Sequence, residues 1–413
     1  MPKRIIVLGG GAAGMMAAIR AGLLGQKVLL IEKGSSLGRK LCLSGKGRGN
    51  LTNIGDINTF LENFNPTGQF LRNAFSHFFN QELMAFFEQA GLTLKTERQG
   101  RVFPRSERAQ DILRVLEQYL AKVKVEIIYN RSVREILLKG KRVAAVKLDD
   151  GRILAATGVI LATGGGSFPQ TGSSGDGQQI AEKLGHRVIP LRAALVPLLT
   201  QEKWVKDLAG LTLKNVRICL LVNDRRKFSQ IGELLFTHFG VSGPVVLSLS
   251  GDIVDLLRSK EAVEFSIDFK PGLSPELLKR RLERELQGRL ILKNLLKSFL
   301  PHSLISVFIA LTKIRPDKKV NQLTQAERKQ LLGLMKDFRL GISGFLPLKQ
   351  AMVTRGGISA KEIDPRTMQS KLIKGLYFAG EIIDVDGKTG GYNLQAAFST
   401  GYLAGENAAK NQG

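Results

Sequence analysis

Three glycines near the start of the chain, Gly9, Gly11 and Gly14, constrain its fold more tightly than any other feature. They follow a short apolar run over residues 4–8, fit for a buried parallel strand. They open an Ala-, Met- and Leu-rich segment over residues 12–24 that reads as a helix. A second apolar run, residues 28–31, ends in Glu32. In this G-x-G-x-x-G spacing Gly9 makes the tight turn, Gly11 lets the backbone approach a pyrophosphate, and Gly14 lets helix and strand pack closely. The helix start at Ala12 and Ala13 offers free N–H groups to phosphates, and Glu32 can accept from a ribose diol. A secretory signal also places basic residues, here Lys3 and Arg4, before an apolar stretch. The glycine cluster and the lack of a later stop-transfer pattern speak against one. The pattern predicts a dinucleotide-binding Rossmann unit.

A chain of 413 residues should hold two or three domains. Its longest apolar candidate for a membrane span, residues 303–314, is too short to cross a bilayer. Two cysteines, Cys42 and Cys219, cannot make a disulfide framework and fit a reducing cytoplasm. The four histidines, His77, His186, His238 and His302, show no metal-ligand spacing, so no metal is expected. Charge is the unusual quantity: 61 Lys and Arg against 36 Asp and Glu leave a formal +25. A solvated surface is the bland account. A polyanionic partner is the sharper one, because clustered cations release counterions from a phosphate backbone, and we favour it.

Residues 33–53 are too rich in Gly, Ser and Asn for a packed helix or strand. Their backbone amides, with Lys33, Arg39, Lys40, Ser44, Gly45, Asn50 and Thr52, suit a loop along a phosphate-bearing cofactor. Residues 69–90 read as one Phe-rich helix stopped by Gly91. A basic loop with Arg101 and Arg105 follows, and Ser106 is the expected N-cap of a helix over 107–121. Strand-like runs at 125–129, 133–138, 142–148 and 152–156 predict a meander. An apolar strand over 159–163 then runs into the Thr163-Gly164 turn, and a helix is expected over 172–184. Short strands are expected at 214–222, 234–236, 245–249 and 263–269, then a linker ending in Ser274-Pro275 with helix-start chemistry.

Residues 275–340 read as helical throughout, with a capping box at Thr324–Glu327. They hold 15 Lys and Arg against 6 Asp and Glu, densest at Lys279, Arg280, Arg281, Arg284, Arg289, Lys293 and Lys297. This is where a nucleic-acid contact is expected. A strand-to-glycine turn at Gly380-Glu381 and a glycine turn at Gly390-Gly391-Tyr392-Asn393 lead into a closing helix over 394–409. That second turn again offers N–H groups, here to the pyrimidine side of a flavin, which gains negative charge on reduction.

The meander crossover and the Ala162-Thr163-Gly164 turn resemble the FAD-binding domain of the glutathione-reductase type. Longer segments extend the likeness over essentially the whole chain: Gly38-Arg39-Lys40-Leu41, Asn50-Leu51-Thr52-Asn53, Gly100-Arg101-Val102-Phe103-Pro104, Leu235 to Pro244, Val353-Thr354-Arg355-Gly356-Gly357 and Gly390-Gly391-Tyr392-Asn393. With these the chain resembles a bacterial NAD(P)/FAD-dependent oxidoreductase flavoprotein family. That family includes the ribosomal RNA dihydrouridine synthase, a bile-acid ene-reductase and an aminoacetone oxidase.

The resemblance implies an α/β fold: a Rossmann-type FAD-binding domain with an inserted β-rich domain and a small helical domain. The expected bounds are 1–192 with 350–413, then 193–272 with 341–349, then 273–340. It adds Val133, Thr163 and Gly164 to the FAD set, with NADPH or NADH as a transient electron donor. It implies hydride transfer by way of the flavin to a C=C bond, with a uridine of 23S ribosomal RNA favoured as substrate in view of the charge. Arg101, Arg105, Lys279, Arg280, Arg281 and Arg284 would then hold RNA. A small-molecule ene-reductase or amine oxidase, and a flavin-bearing RNA-binding factor without turnover, are the alternatives. The family loop usually reads Ser-Gly-Gly-Gly-Arg-Cys-Asn, whereas here Lys46 and Gly49 replace a glycine and the cysteine. Gly49 has no proton to give, so His238 and Cys42 become the candidate catalytic side chains, with His238 equally readable as a core histidine.

Overall fold

The computed structural model describes residues 4–285 and 290–411. They divide into two units, Met1–Ala194 with Pro347–Gly413, and Leu195–Leu346.

The first unit is built on a five-stranded parallel sheet in the order Leu376–Phe378, Gly158–Leu161, Ile5–Leu8, Val28–Ile31, Glu126–Ile128. Every residue of Ile5–Leu8, Val28–Ile31 and Gly158–Leu161 is buried, which is why these strands read as unbroken apolar runs. The helix Ala12–Leu23 connects the two central strands. It lies backbone to backbone against the closing helix Tyr392–Lys410. A Cβ at Gly401 would stand 2.3 Å from Ala13 O, and one at Gly405 2.3 Å from Ala17 O. Only glycine permits that approach.

Several expectations are corrected in this unit. Residues 126–128 do not join the meander but pair in parallel with Val28–Ile31, where Ile127 and Ile128 extend the main sheet. The meander has three strands, Val133–Lys139, Arg142–Leu148 and Ile153–Ala155. The helix expected over 69–90 is broken into Arg72–His77 and Asn80–Gln89. Phe78 turns extended and its carbonyl accepts from Ser399 Oγ at 2.6 Å, while Asn80 Nδ2 donates to the carbonyls of Asn53 and Gly55. Tertiary hydrogen bonds thus override local helix propensity. Ser106 is not an N-cap: the helix runs Ala109–Lys122, and the Ser106 hydroxyl donates instead to Asp111 Oδ2 at 2.6 Å. The 33–53 segment contains a tight turn segment, Leu41–Gly47, and a two-residue strand, Thr52–Asn53.

The second unit is a closed six-stranded barrel of Leu198–Thr200, Gly240–Ser242, Arg225–Phe236, Thr212–Val222, Val263–Asp268 and Phe338–Phe345. The strand expected at 245–249 is instead part of a helix, Pro244–Arg258, with proline in its first turn. A short run of four apolar residues and Ser248 does not distinguish the two states, and Val246, Leu249, Ile253 and Val254 recur at helical spacing in the core. The strand expected at 234–236 begins at Arg225, a start hidden by polar, outward-facing residues. The block expected to be helical through 340 has helices at Pro275–Glu285, Leu292–Leu296, His302–Thr312 and Gln325–Lys336, then joins the barrel as a strand. Its Leu278, Leu282, Phe308 and Met335 share one core with Phe265, Ile267 and Phe338 of the barrel. Arg289 lies outside the described residues.

One buried histidine has a consequence for stability. His186, in the first unit, is enclosed, with Ser370 Oγ at 3.0 Å from Nε2 and Glu362 Oε2 at 3.3 Å from Nδ1. Ser370 Oγ already accepts the N–H groups of Leu372 and Ile373, so its own proton points at Nε2 and the ring is held neutral. Burial pushes the imidazole pKa below its usual value against the opposing pull of Glu362. The unfolded chain therefore binds a proton the native one refuses as pH falls below about 6.5. Native stability should decline from there, by at most about 1.4 kcal/mol per pH unit from this group. Denaturant midpoints of wild type and His186→Gln from pH 5 to 8 measure it. A gap between the two that stays constant with pH would refute it.

Candidate cofactor-binding site

The turn after Ile5–Leu8 sets the geometry. Gly9 takes φ +102°, and a Cβ there would meet Ala162 O at 2.6 Å. A Cβ on Gly14 would meet Gly9 O at 1.9 Å. Above Gly11 nothing lies within 4 Å, and no side chain caps the first turn of the helix at Ala12 and Ala13. The backbone is therefore closed against its own strand and open on the outward side, where uncapped N–H groups face space. Glu32 is buried, its Oε2 accepting from Gly10 N and Oε1 from Gly34 N, both at 2.7 Å. Both carboxylate oxygens are held in place and retain lone pairs for a diol. Val133 begins the meander close by, since Arg131 N donates to Glu32 O.

The loop after Glu32 sends its side chains to different partners. Lys33 pairs with Asp176 and donates to Ser174 Oγ, both at 2.7 Å. Arg39 donates to the carbonyl of Gln170. Lys40 pairs with Glu381 at 2.5 Å and donates to Ser167 Oγ at 2.7 Å. Glu381 Oε1 also accepts from Ser167 Oγ and from Thr354 N at 2.7 Å. Lys40 and Glu381, 341 residues apart, are thus brought together, and Thr354 and Ser167 complete the node, Ser167 without having been singled out in the sequence.

Gly390 and Gly391 meet the same loop at its other end. A Cβ on Gly391 would stand 2.3 Å from Thr52 O, and Asn53 Nδ2 donates to Gly390 O at 3.1 Å. Asn50, with its amide oriented to satisfy its neighbours, accepts from Gly391 N at 3.0 Å. Thr52 Oγ1 donates to Gln395 Oε1 at 2.6 Å in the interior. The Asn393 side chain ties the backbone of Gly387 and Lys388, and the Tyr392 ring packs edge-on against Phe60 at 4.8 Å. These two side chains shape the turn from behind.

Three polar atoms along this path are shut off from water without a partner: Ser44 Oγ, Thr163 Oγ1 and Gln178 Oε1. Such orphans in a native site call for a ligand. With the open face at Gly11, the ribose-side carboxylate and the cations of the loop, they fit a dinucleotide such as FAD.

The other singled-out residues lie as follows. Cys42 lines a cavity of about 550 Å³ with Arg39, Leu113, Glu117 and Gln170, and burial followed by Glu117 pushes its thiol pKa up. Gly45 is an exposed left-handed residue of the turn, and Gly164 and Gly380 also take positive φ. Gly49, at φ +74°, would place a Cβ 2.7 Å from Ile112 Cδ1. A side chain there points at the helix Ala109–Lys122. Arg101 donates to the carbonyl of Arg98, and Arg105 is exposed. In the second unit His238 is exposed on the turn between Arg225–Phe236 and Gly240–Ser242, its ring 4.7 Å from that of Phe239. It is not a core histidine. Lys279, Arg280 and Arg284 are exposed and Arg281 is half-buried.

Within Val353–Ile358, a segment the sequence marks, Arg355 makes a pairing that the sequence does not announce. Arg355 Nε donates to both oxygens of Asp386 at 3.1 and 3.2 Å, and Asn65 Nδ2 donates to Asp386 Oδ1 at 2.7 Å. Asp386 is 5 % exposed. Burial outweighs the adjacent guanidinium and pushes its carboxyl pKa up, as it does for the neighbouring Asp384.

The sequence profile of the family described as "HI0933-like protein Rossmann domain" matches residues 3–407. The chain is 32 % identical over 412 residues to the 3-dehydro-bile acid delta(4,6)-reductase of Clostridium scindens, covering 99 % of each chain. It is 33 % identical to the ribosomal RNA dihydrouridine synthase of Escherichia coli, covering 98 % of each. Its fold is similar to that of a flavocytochrome c3 fumarate reductase, with a TM-score of 0.50 at 17 % identity over 99 % of this chain and 78 % of that one. The architecture is accordingly that of the flavoenzymes, a Rossmann-type domain with a β-rich insertion, and the chain belongs to the HI0933-like Rossmann-domain family.

Proposed function

We propose that the chain is an FAD-dependent reductase that takes electrons from NADPH or NADH and saturates the C5=C6 bond of a uridine in 23S ribosomal RNA. The observation that carries the substrate is charge: +25 in total, with an excess of 9 in residues 275–340, where Arg280 and Arg284 stand exposed. A small apolar substrate has no use for such a surface, whereas an RNA backbone does. The name of the Escherichia coli relative agrees with this choice.

When bound, FAD supplies the hydride that the electron-poor C6 accepts. The chain's own residues do the rest. Glu32 holds the adenosine ribose and the helix start at Ala12 and Ala13 holds the pyrophosphate. Lys40 and Glu381 brace the path between them, and the turn at Gly391 backs the pyrimidine edge. The C5 position then needs a proton, and His238, exposed beside Phe239, is our candidate to carry it. The base would have to leave its stack to react.

The likeness to the bile-acid reductase favours a second reading with the same chemistry on a small enone. Rapid mixing of the reduced protein with ribosomal RNA fragments separates them. On the RNA reading, flavin reoxidation under anaerobic conditions accelerates with RNA and slows steeply with salt. Dihydrouridine in 23S ribosomal RNA should also vanish from a deletion strain, and an unchanged modification map would reject the proposal.

A further inference from the structure

The loop that follows Glu32 carries five cations, Lys33, Arg39, Lys40, Lys46 and Arg48. Four of them are tied down within the first unit. Lys33 pairs with Asp176, Arg39 donates to the carbonyl of Gln170, and Lys40 pairs with Glu381. Arg48 lies 4.2 Å over the centre of the Phe103 ring and is neutralised by Glu97 and Glu107. Lys46 is exposed, and among the described residues its ammonium makes no ion pair or hydrogen bond.

Its backbone sets it apart as well. Lys46 takes φ +60° and ψ +41°, between Gly45 at φ +57° and Gly47 at φ +84°. A left-handed run of this kind favours glycine, because a Cβ crowds the neighbouring carbonyl. The turn is closed at its base, where Gly49 N donates to Ser44 O at 3.0 Å and Arg48 N to Gly45 O at 3.3 Å, which holds position 46 in that conformation. A lysine here therefore carries strain, and neither burial nor a partner within the fold offsets it. Strain of this sort points to a task outside the fold.

The base of the turn is the cofactor path itself. Ser44 holds one of the orphaned buried hydroxyls, and Asn50 accepts from Gly391 N at 3.0 Å, at the turn that backs the pyrimidine edge. Lys46 stands on the solvent side of that path. A nucleotide that brings its base to a flavin keeps its phosphate behind the base, toward solvent. An ammonium on a long, flexible stem is a point charge suited to such a phosphate. We propose that Lys46 binds the backbone phosphate of the RNA nucleotide whose base enters the site, and so selects a polyanionic substrate over a small enone. The assignment rests on RNA as the substrate.

Two measurements on the flavin-loaded protein test it. In the first, lysine acetylation is followed residue by residue by mass spectrometry, alone, with an unmodified 23S ribosomal RNA transcript, and with NADP+. RNA should slow acetylation of Lys46, and NADP+ should not. In the second, filter binding of the transcript is compared for wild type, Lys46→Gly and Lys46→Arg across a sodium chloride series. Lys46→Gly should bind about fivefold more weakly at low salt, with the slope of log affinity against log salt smaller by about 1. It should keep its flavin and melt about 1–2 °C above wild type, because the strain is gone. Lys46→Arg, which keeps the charge, should retain the wild-type slope. If wild type binds the transcript and Lys46→Gly binds it equally well, the role of Lys46 is wrong and the RNA reading stands. If wild type fails to bind, the RNA reading fails and this role with it. Protection by NADP+ and not by RNA would give the phosphate to the electron donor and overturn the proposal. Loss of flavin from Lys46→Gly would overturn it too, by assigning the ammonium to the cofactor's own phosphates.

Discussion

Replacing Gly14 with alanine should yield protein that purifies without flavin colour and melts well below wild type. The new Cβ would sit 1.9 Å from Gly9 O and 3.3 Å from Ala162 Cβ. The first obstacle is backbone, in a residue already committed to φ +102°, so no rotamer change relieves it. The helix start must move off the strand, at a cost toward the upper end of the roughly 1–3 kcal/mol typical of overpacking. Gly11→Ala is the informative contrast, because nothing lies within 4 Å of its Cβ. That variant should keep the melting temperature of flavin-stripped wild type and lose flavin, since the methyl group occupies the pyrophosphate approach. The ratio of flavin to protein absorbance, with a thermal melt of each variant, reads both effects. A Gly14→Ala protein with full flavin content would show that the turn does not set the site.

Asp386→Ala should cost about 3 kcal/mol of stability in the first unit, and Asp386→Asn clearly less. The carboxylate is buried and holds Arg355 through both oxygens as well as Asn65. Because burial has already pushed its pKa up, the ion pair is no strong source of stability. Deleting one member is another matter: it strands a hydrogen-bond donor on Asn65 and removes a carboxylate from a buried guanidinium. Arg355 has further interactions, which keeps the cost at the lower end for a broken buried pair. Asparagine preserves an acceptor for Asn65 and removes the charge. Denaturant midpoints of the three proteins at pH 7 decide it, and equal losses for alanine and asparagine would contradict the role of the hydrogen bonds.

The Rossmann core was legible because each of its demands has a residue signature. Apolar runs announced the parallel strands, the glycine spacing announced the turn, and Glu32 ended the second strand where the ribose is expected. Where tertiary contacts decide, local pattern was silent or wrong. Phe78 leaves its helix because Ser399 needs its carbonyl, a partner 321 residues away. Residues 245–249 read as a strand because they are mostly apolar and begin with two valines, yet they belong to the helix Pro244–Arg258. The strand Arg225–Phe236 is legible only at 234–236, because it starts on the exposed cations Arg225, Arg226 and Lys227. In the site, the glycines and Glu32 could be found by motif, whereas the pairing of Lys40 with Glu381 and the Arg355–Asp386 pair depend on the crossover of distant segments. The charge excess pointed to the basic helix, but the placement of Arg281 against Phe299 follows only from packing.

The contact of the first helix with the closing one has a consequence for biosynthesis. The helix Ala12–Leu23 leaves the ribosome long before Tyr392–Lys410, the helix whose surface covers its small-residue face. The sheet is completed on its other side by Leu376–Phe378, also made late. Leu195–Leu346, by contrast, is contiguous in the chain and can condense while the rest is still being translated. The order of assembly should therefore be inverted relative to the order of synthesis. The inserted unit folds first, the nucleotide site closes only once Tyr392–Lys410 has emerged, and a nascent chain stalled before that helix should expose an apolar parallel sheet to chaperones.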